Sequence, residues 1–253
     1  MEFDFDINNL FGNEITVLNK QLNPYRATPA CFREYKSQLC TVIDQMGVAS
    51  AKAQGLHGPI TSVSRMSSSE HILYVMKDPC AHKGKGAVVG FLKVGVKKLF
   101  VYDGEGTQHE IEPLCALDFY VHESRQRNGC GRRIFDHMLR TENVKPQHIA
   151  IDRPSHKFLS FLMKHYHLRN SLPQRNNFVI FDGFLKSSKG RKCNADHNKP
   201  PAHPYQRQGL LFHSIQHIII ILFLQKQDLF KELSACPTLV QPSKRTFLSS
   251  TPS

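Results

Sequence analysis

Residues 117–140, Leu-Asp-Phe-Tyr-Val-His-Glu-Ser-Arg-Gln-Arg-Asn-Gly-Cys-Gly-Arg-Arg-Ile-Phe-Asp-His-Met-Leu-Arg, limit the possible folds more than any other stretch of the chain. An apolar run from Leu114 to Val121 predicts a strand. Glycines at 129 and 131 predict a sharp turn, and Ile134, Phe135, Met138 and Leu139 then fall on one face of a helix. A second apolar strand, His148 to Asp152, completes a strand–helix–strand unit. Glycine lets the backbone turn through positive φ and come close to a ligand, while the first turn of the helix offers unpaired N–H groups and the positive end of its dipole. Such an element is a cradle for a phosphorylated ligand.

The 253 residues, 40% of them hydrophobic, suffice for one substantial core and do not require a second domain. The first segment, Phe3 to Leu18, alternates apolar residues around Gly12-Asn13 and ends in Ile15-Thr16-Val17-Leu18, which suits an opening strand after a turn. A helix is expected next, with Thr28 as N-cap, Pro29 in its first turn and a core stripe of Phe32, Tyr35, Leu39, Val42, Ile43 and Met46, running through small residues into Gly55. His71 to Met76 and Ala87 to Val101 read as antiparallel strands around the Lys-Gly-Lys-Gly turn at 83–86, and the sheet is expected to continue through Ile111 to Val121. After the cradle unit come a helix from Ser155 to Tyr166 and a last strand at Phe178 to Phe181. The fold class is therefore mixed α/β with a mostly antiparallel central sheet flanked by helices.

From Lys186 the texture changes to Ser, Lys, Arg and Pro, which predicts a domain over residues 1–185 and a basic, mostly disordered tail over 186–253. The tail holds ten Lys and Arg against three Asp and Glu, so +7 of the formal +12 charge lies there and +5 on residues 1–185. Its apolar segment at 210–224 is interrupted by His213, Ser214, Gln216 and His217 and is too short for the roughly 20 residues of a membrane span. Seven scattered cysteines without a Cys-x-x-Cys pair, and a start (Met-Glu-Phe-Asp-Phe-Asp) without the basic and apolar regions of a signal peptide, predict a reducing cytoplasmic setting. His213 with His217, and Cys193 with His197, lack further ligands nearby in sequence, so no metal is expected. The basic surface suits an anionic cofactor and an acidic partner. Nucleic acid is not expected, for want of interleaved aromatics or an RNA-binding signature.

The spacing Gln126-x-x-Gly129-x-Gly131 is neither a dinucleotide fingerprint nor a nucleotide-triphosphate loop. It resembles the acetyl-CoA pyrophosphate loop of the GNAT superfamily of N-acetyltransferases. Longer blocks are similar to the α-tubulin N-acetyltransferase family: Ala-Ser-Ala-Lys-Ala-Gln (49–54), Pro-Ile-Thr-Ser-Val-Ser-Arg-Met (59–66), Glu-Pro-Leu-Cys-Ala-Leu-Asp-Phe-Tyr-Val-His-Glu-Ser (112–124), Ala-Ile-Asp-Arg-Pro-Ser (150–155) and Asn-Asn-Phe-Val-Ile-Phe (176–181). The likeness covers residues 1–185, whereas the tail departs from the long Pro- and Arg-rich region that such proteins often carry.

The resemblance implies a GNAT-type fold and transfer of acetyl from acetyl-CoA to a lysine ε-amine on the luminal loop of α-tubulin in microtubules, in the cytoplasm, at the cytoskeleton and in the axoneme of the cilium. A monomer is expected. Acetyl-CoA would lie along Phe119, Tyr120, Val121 and His122 at the strand end and on Glu123, Ser124, Arg125 and Gln126 of the turn. Arg127, Asn128, Gly129, Cys130, Gly131 and Arg132 would hold the pyrophosphate. On the next helix the resemblance adds Ser155, His156, Lys157, Ser160, Met163 and Lys164, with Phe158, Leu159, Phe161 and Leu162 as core first and cofactor wall second.

The chemistry requires that a lysine amine of pKa about 10.4 lose a proton before it attacks the thioester. Asp152, at the C-terminal end of a strand, is one candidate to take it; Cys115, on the preceding strand, is another, through proton transfer or positioning. Gln54 does not titrate, so its family-implied role must run through hydrogen bonds. Arg153 is free to meet acidic groups of the acceptor loop. Two alternatives stay open on sequence: a general protein or small-amine acetyltransferase with the same cofactor loop, and a microtubule-binding module with little turnover.

Overall fold

The computed structural model describes residues 1–23, 28, 30–172 and 174–185. In chain order they form α1 (Ile7–Leu10), β1 (Ile15–Leu18), α2 (Phe32–Gln54), α3 (Val63–Ser67), β2 (Ile72–Asp78), β3 (Ala87–Val96), β4 (Leu99–Tyr102), β5 (Gln108–Ile111), β6 (Leu114–Val121), α4 (Cys130–Glu142), β7 (Ala150–Asp152), α5 (His156–Tyr166), β8 (Ser171–Leu172) and β9 (Phe178–Phe181). The main sheet has the order β1-β2-β3-β6-β7-β9-β8, and β4 and β5 form a separate hairpin. Every neighbour in the main sheet is antiparallel except β6 and β7, which α4 joins as a parallel pair. The mixed, mostly antiparallel sheet with flanking helices is the expected fold class. Residues 186–253, with the expected tail and its apolar segment, lie outside the described residues, as does Pro29. Among the described residues no helix is long and apolar enough to cross a membrane.

Three elements differ from expectation, each for a local reason. The opening strand lies at Ile15–Leu18 as expected, but a short helix, α1, precedes it, because the Asp6 carboxylate accepts from the Asn8 N–H at 2.7 Å and caps it. The three-residue spacing of Ile7 and Leu10 then buries both completely, and the strand is confined to β1. The long helix α2 starts at Phe32 behind Cys31 rather than at Thr28, and it ends as expected on left-handed Gly55 (φ 67°). The run 87–101 breaks at Lys97, whose N–H turns to the Pro113 carbonyl (3.2 Å), so β4 leaves the main sheet and pairs with β5 alone.

Two layers of helix cover the sheet. Leu39, Val42, Ile43 and Met46 of α2 pack on one face with Leu73, Val75, Phe91 and Tyr120. On the other face α4 and α5 bury Ile134, Phe135, Met138 and Leu162 against Tyr74, Leu92, Val94 and Ala116. A smaller cluster joins Leu99 and Val101 of the hairpin to Cys115, Leu117, Ile180 and Phe184.

The ladder between β3 and β6 slips once. Lys93 faces Asp118 and Val94 faces Ala116, so Leu117 is a bulge. A strand alternates faces at every residue, and the extra residue reverses that alternation. Cys115, Leu117 and then Asp118 are brought to one side of β6, the side turned away from α4. Both Lys93 and Asp118 end up buried.

Phe135 is fully buried, with ring centroids of Phe161 at 5.8 Å and Tyr166 at 5.0 Å. Phe135→Ala should therefore cost about 3–5 kcal/mol in urea unfolding. Val96→Ala, at a side chain 54% exposed, should stay within about 0.5 kcal/mol.

Candidate active site

The parallel ladder of β6 and β7 is recorded at two pairs, Cys115 with Ala150 and Ala116 with Ile151. Beyond it β6 continues to Val121 paired with β3. The opposite edge of residues 117–121 faces the gap where β7 has ended, a place where an extended ligand arm bearing amides can pair with main chain. At the end of that edge the chain makes a short 3-10 turn, Glu123–Arg125, and enters α4.

Two left-handed residues, Arg127 (φ 66°) and Gly129 (φ 77°), turn the loop sharply into the start of α4. Gly129 is the N-cap and no side chain caps the helix, so its first-turn N–H groups are free for an anion. Gly131 seats the helix closely, because a Cβ there would lie 3.2 Å from Phe119 Cζ and 3.7 Å from Phe161 Cε2. Gln126 holds the loop to the strand, its Nε2 donating to the Val121 carbonyl at 2.8 Å. Arg125 pairs with Asp78 (3.1 Å) and Arg132 with Asp136 (3.4 Å), while Arg127 and Asn128 are exposed. His122 Nδ1 lies 2.9 Å from Ser124 Oγ, and Tyr120 donates to Glu123 (3.0 Å). Cys130 is half-buried at the first position of α4. These residues fit a pyrophosphate.

Helix α5 forms the neighbouring wall. Ser155 caps it, accepting from the Phe158 N–H at 3.2 Å. Phe158 and Phe161 lie 5.0 and 5.4 Å from the Phe119 ring, and Leu159 packs in the same cluster with the fully buried Leu162. His156, Lys157, Ser160, Met163 and Lys164 are exposed. Against the upward push of burial, a backbone hydrogen bond, the Tyr120 hydroxyl and, less strongly, His122 and Lys157 hold the Glu123 carboxyl below its ordinary range.

At the other end of the gap lie the groups suited to proton transfer. Asp152 is half-buried, and loss of solvent raises its pKa against the opposing pull of Arg153, Lys93 and Lys97. Arg153 has a left-handed backbone (φ 40°) and an exposed side chain. Its guanidinium reaches the Asn177 amide oxygen at 2.8 Å, in the orientation that satisfies that amide. Cys115 is completely buried, its thiol donates to the Pro113 carbonyl at 3.5 Å, and burial pushes its pKa up to about 12. Such a thiol keeps its proton at neutral pH.

The structure also assembles a polar cluster that motif spacing does not predict. Asp118 accepts from Ser50 Oγ (2.8 Å), from Gln54 Nε2 (2.9 Å) and from Thr61 Oγ1. Lys93, its partner across the ladder, donates to the Ile60 carbonyl, and burial lowers its pKa to about 8 although Asp118 and Asp152 oppose the shift. Gln54 thus joins the site from the end of α2. The available signal was a lone charge in each of two apolar strands, 87–96 and 114–121, since a charge buried in a sheet needs a partner.

A split sheet edge leading into an uncapped, glycine-cradled helix, with a half-buried carboxylate beyond, defines an acyltransferase that works on a cofactor carrying a phosphate group. The sequence profile described as "GNAT acetyltransferase, Mec-17" matches residues 3–209, and the chain belongs to that family, whose cofactor is acetyl-CoA. An "Alpha-tubulin N-acetyltransferase" of Trichoplax adhaerens is 48% identical over 229 residues, 84% of this chain and 96% of that protein. "Alpha-tubulin N-acetyltransferase 1" of Danio rerio is 51% identical over 187 residues, 74% of this chain and 63% of that protein. An "Alpha-tubulin N-acetyltransferase" of Aedes aegypti is 46% identical over 188 residues, 73% of this chain and 68% of that protein.

A Cβ at Gly129 meets nothing within 4 Å, so Gly129→Ala suffers only the left-handed backbone. The variant should lose about 1 kcal/mol of stability in thermal unfolding. Calorimetric titration with acetyl-CoA should show at least about a fivefold rise in Kd, as the start of α4 shifts.

Proposed function

We propose that this enzyme transfers acetyl from acetyl-CoA to the ε-amine of a lysine on the luminal loop of α-tubulin, with polymerised microtubules as the preferred acceptor. The observation that carries this reading is the likeness to proteins named for α-tubulin N-acetylation along essentially the whole described chain, 96% of the Trichoplax adhaerens protein included. Cytoplasm, microtubules and the ciliary axoneme are the corresponding places of action, and the enzyme works as a monomer. The core ends at Phe184 with Leu185 packed against it, which supports a catalytic domain over 1–185 followed by a basic tail, although the family match runs on to residue 209.

When bound, acetyl-CoA supplies a thioester carbonyl activated for acyl transfer. The loop from Gln126 to Arg132 takes its pyrophosphate, the edge of β6 from Phe119 to Val121, whose last carbonyl already accepts from Gln126, takes the amide-bearing arm, and the Ser155–Lys164 helix walls the other side. Asp152 removes the proton from the lysine ammonium, directly or through one water. Its raised pKa suits that task better than an ordinary aspartate, since a base works best when its pKa approaches the working pH. Cys115 packs and positions the strand beside it; a thiol pushed up to about 12 is a poor base. Arg153, exposed beside Asp152, meets acidic groups of the acceptor loop.

The purified chain with labelled acetyl-CoA should modify an α-tubulin lysine, more on microtubules than on free tubulin, as read by peptide mass. Label on histone or small amines in place of tubulin overturns the acceptor assignment. Asp152→Asn should lower kcat by about 10²–10⁴-fold with acetyl-CoA affinity unchanged.

The pH profile carries a sign. Asp152 must be ionised to accept a proton, so kcat/KM falls as pH drops through its raised pKa. Arg153 lowers that pKa in the native enzyme. The acidic limb of Arg153→Ala should therefore lie at higher pH than that of the wild type, and a limb that stays in place or moves down removes Asp152 from this role.

A further inference from the structure

Gln54 sits at the last position of α2, and its amide is not free to turn over. Its Nε2 points at both Ser50 Oγ (2.7 Å) and Asp118 Oδ1 (2.9 Å), two oxygens close enough together to share one amide hydrogen. Ser50 cannot reverse this arrangement, because its own hydroxyl hydrogen goes to Asp118 at 2.8 Å and leaves only lone pairs for Gln54. Thr61 donates to the second oxygen of Asp118. A carboxylate accepts and does not donate, so the nitrogen of Gln54 has to face it and Oε1 has to face away. Gln54 itself is half-buried, whereas Asp118 and Ser50 are buried.

We propose that Asp118 is a positioning residue for acetyl transfer: it locks the Gln54 amide so that Oε1 is presented as a fixed hydrogen-bond acceptor for an N–H of the acceptor substrate, either the lysine amine or its backbone.

The clamp draws on four separate pieces of chain. Ser50 and Gln54 come from α2, Thr61 from the segment before α3, Asp118 from β6, and Lys93 from β3 directly across the ladder. The bulge at Leu117 is what places Asp118 on the same side of β6 as Cys115. Asp152 lies one residue past the last pair of the neighbouring parallel ladder, Ile151 with Ala116. A fixed acceptor on this side holds an N–H donor without competing for the proton that Asp152 takes. An amide free to flip would show the donor its NH2 group for part of the time and repel it.

The inference rests on the lysine acetyltransferase reading, and the test separates the two through a reciprocal exchange. Asp118→Asn frees the amide of Gln54 to turn, and Gln54→Glu sets two carboxylates against each other. Combining Asp118→Asn with Gln54→Glu restores the pattern, since the new amide at position 118 donates to the new carboxylate at position 54, which still turns an oxygen outward. Each single variant should lower kcat/KM for the α-tubulin acceptor by at least about tenfold. The double variant should return to within about threefold of the wild type, and acetyl-CoA Kd should be constant throughout. A double variant no better than the worse single variant, at equal acetyl-CoA affinity, overturns the proposal.

The side-chain amide of Gln54 gives a second readout that needs neither acceptor nor a folded variant. In the ¹⁵N spectrum of the wild-type chain the hydrogen directed at Ser50 and Asp118 should be protected from exchange with water and keep a resonance distinct from its geminal partner. Rapid exchange of that hydrogen overturns the lock. A protected hydrogen in a wild-type enzyme that does not label α-tubulin overturns the tubulin reading and leaves the lock in place.

Discussion

The structure depends on solvating two charges inside its own sheet. Asp118 and Lys93 face each other on β6 and β3, both are almost fully buried, and neither position offers water. An unpaired charge there would cost several kcal/mol, so the surrounding chain has to supply hydrogen bonds instead. That requirement fixes the end of α2, through Ser50 and Gln54, and the segment at 60–61, through the Ile60 carbonyl and Thr61. Burial still depresses the Lys93 pKa to about 8, a measure of how incompletely a neighbouring carboxylate replaces water. A pure apolar pair would pack here at less cost. The polar pair is what gives the site its geometry.

The cofactor end follows a different logic. It is made almost entirely of backbone: left-handed Arg127 and Gly129, free N–H groups at the start of α4, and Gly131 allowing the helix against Phe119 and Phe161. Side chains serve mainly as struts, as Gln126 does for the loop and Ser155 for α5. One end thus offers main-chain dipoles that do not titrate, while the other is dense in groups whose protonation is shifted. The divergence of β6 from β7 after Ala116 separates the two functions along one strand edge.

How much of this was legible in the sequence follows from the same division. The strand–turn–helix–strand unit could be read because glycine spacing and apolar periodicity are local, and β6, α4, β7, α5 and β9 fall close to where they are expected. The helical turn ahead of β1 could not be read because Ile7 and Leu10 suit a strand or one helical turn equally, and a single Asp6 cap decides between them. Leaving the hairpin out of the main sheet requires a contact between Lys97 and Pro113, sixteen positions apart, which no local pattern contains. Likewise, Asp118 could be seen as an anomaly but not assigned, since its partners Ser50 and Gln54 lie 68 and 64 residues away and reach it only through a bulge.

The contrast between Cys115 and Asp152 shows how burial can divide labour between two candidates that sequence treats alike. Both sit near the closing point of the parallel ladder, and the charge of Asp152 adds to the upward shift of the Cys115 thiol. Desolvation raises both pKa values, yet with opposite consequences. A carboxyl starting near 4 is brought towards neutrality and becomes a better base, while a thiol starting near 9 is carried away from neutrality and stays protonated. The same low-dielectric surroundings therefore sharpen one group and silence the other. A site that needs a single proton acceptor gains from having its second candidate buried deeper than the first.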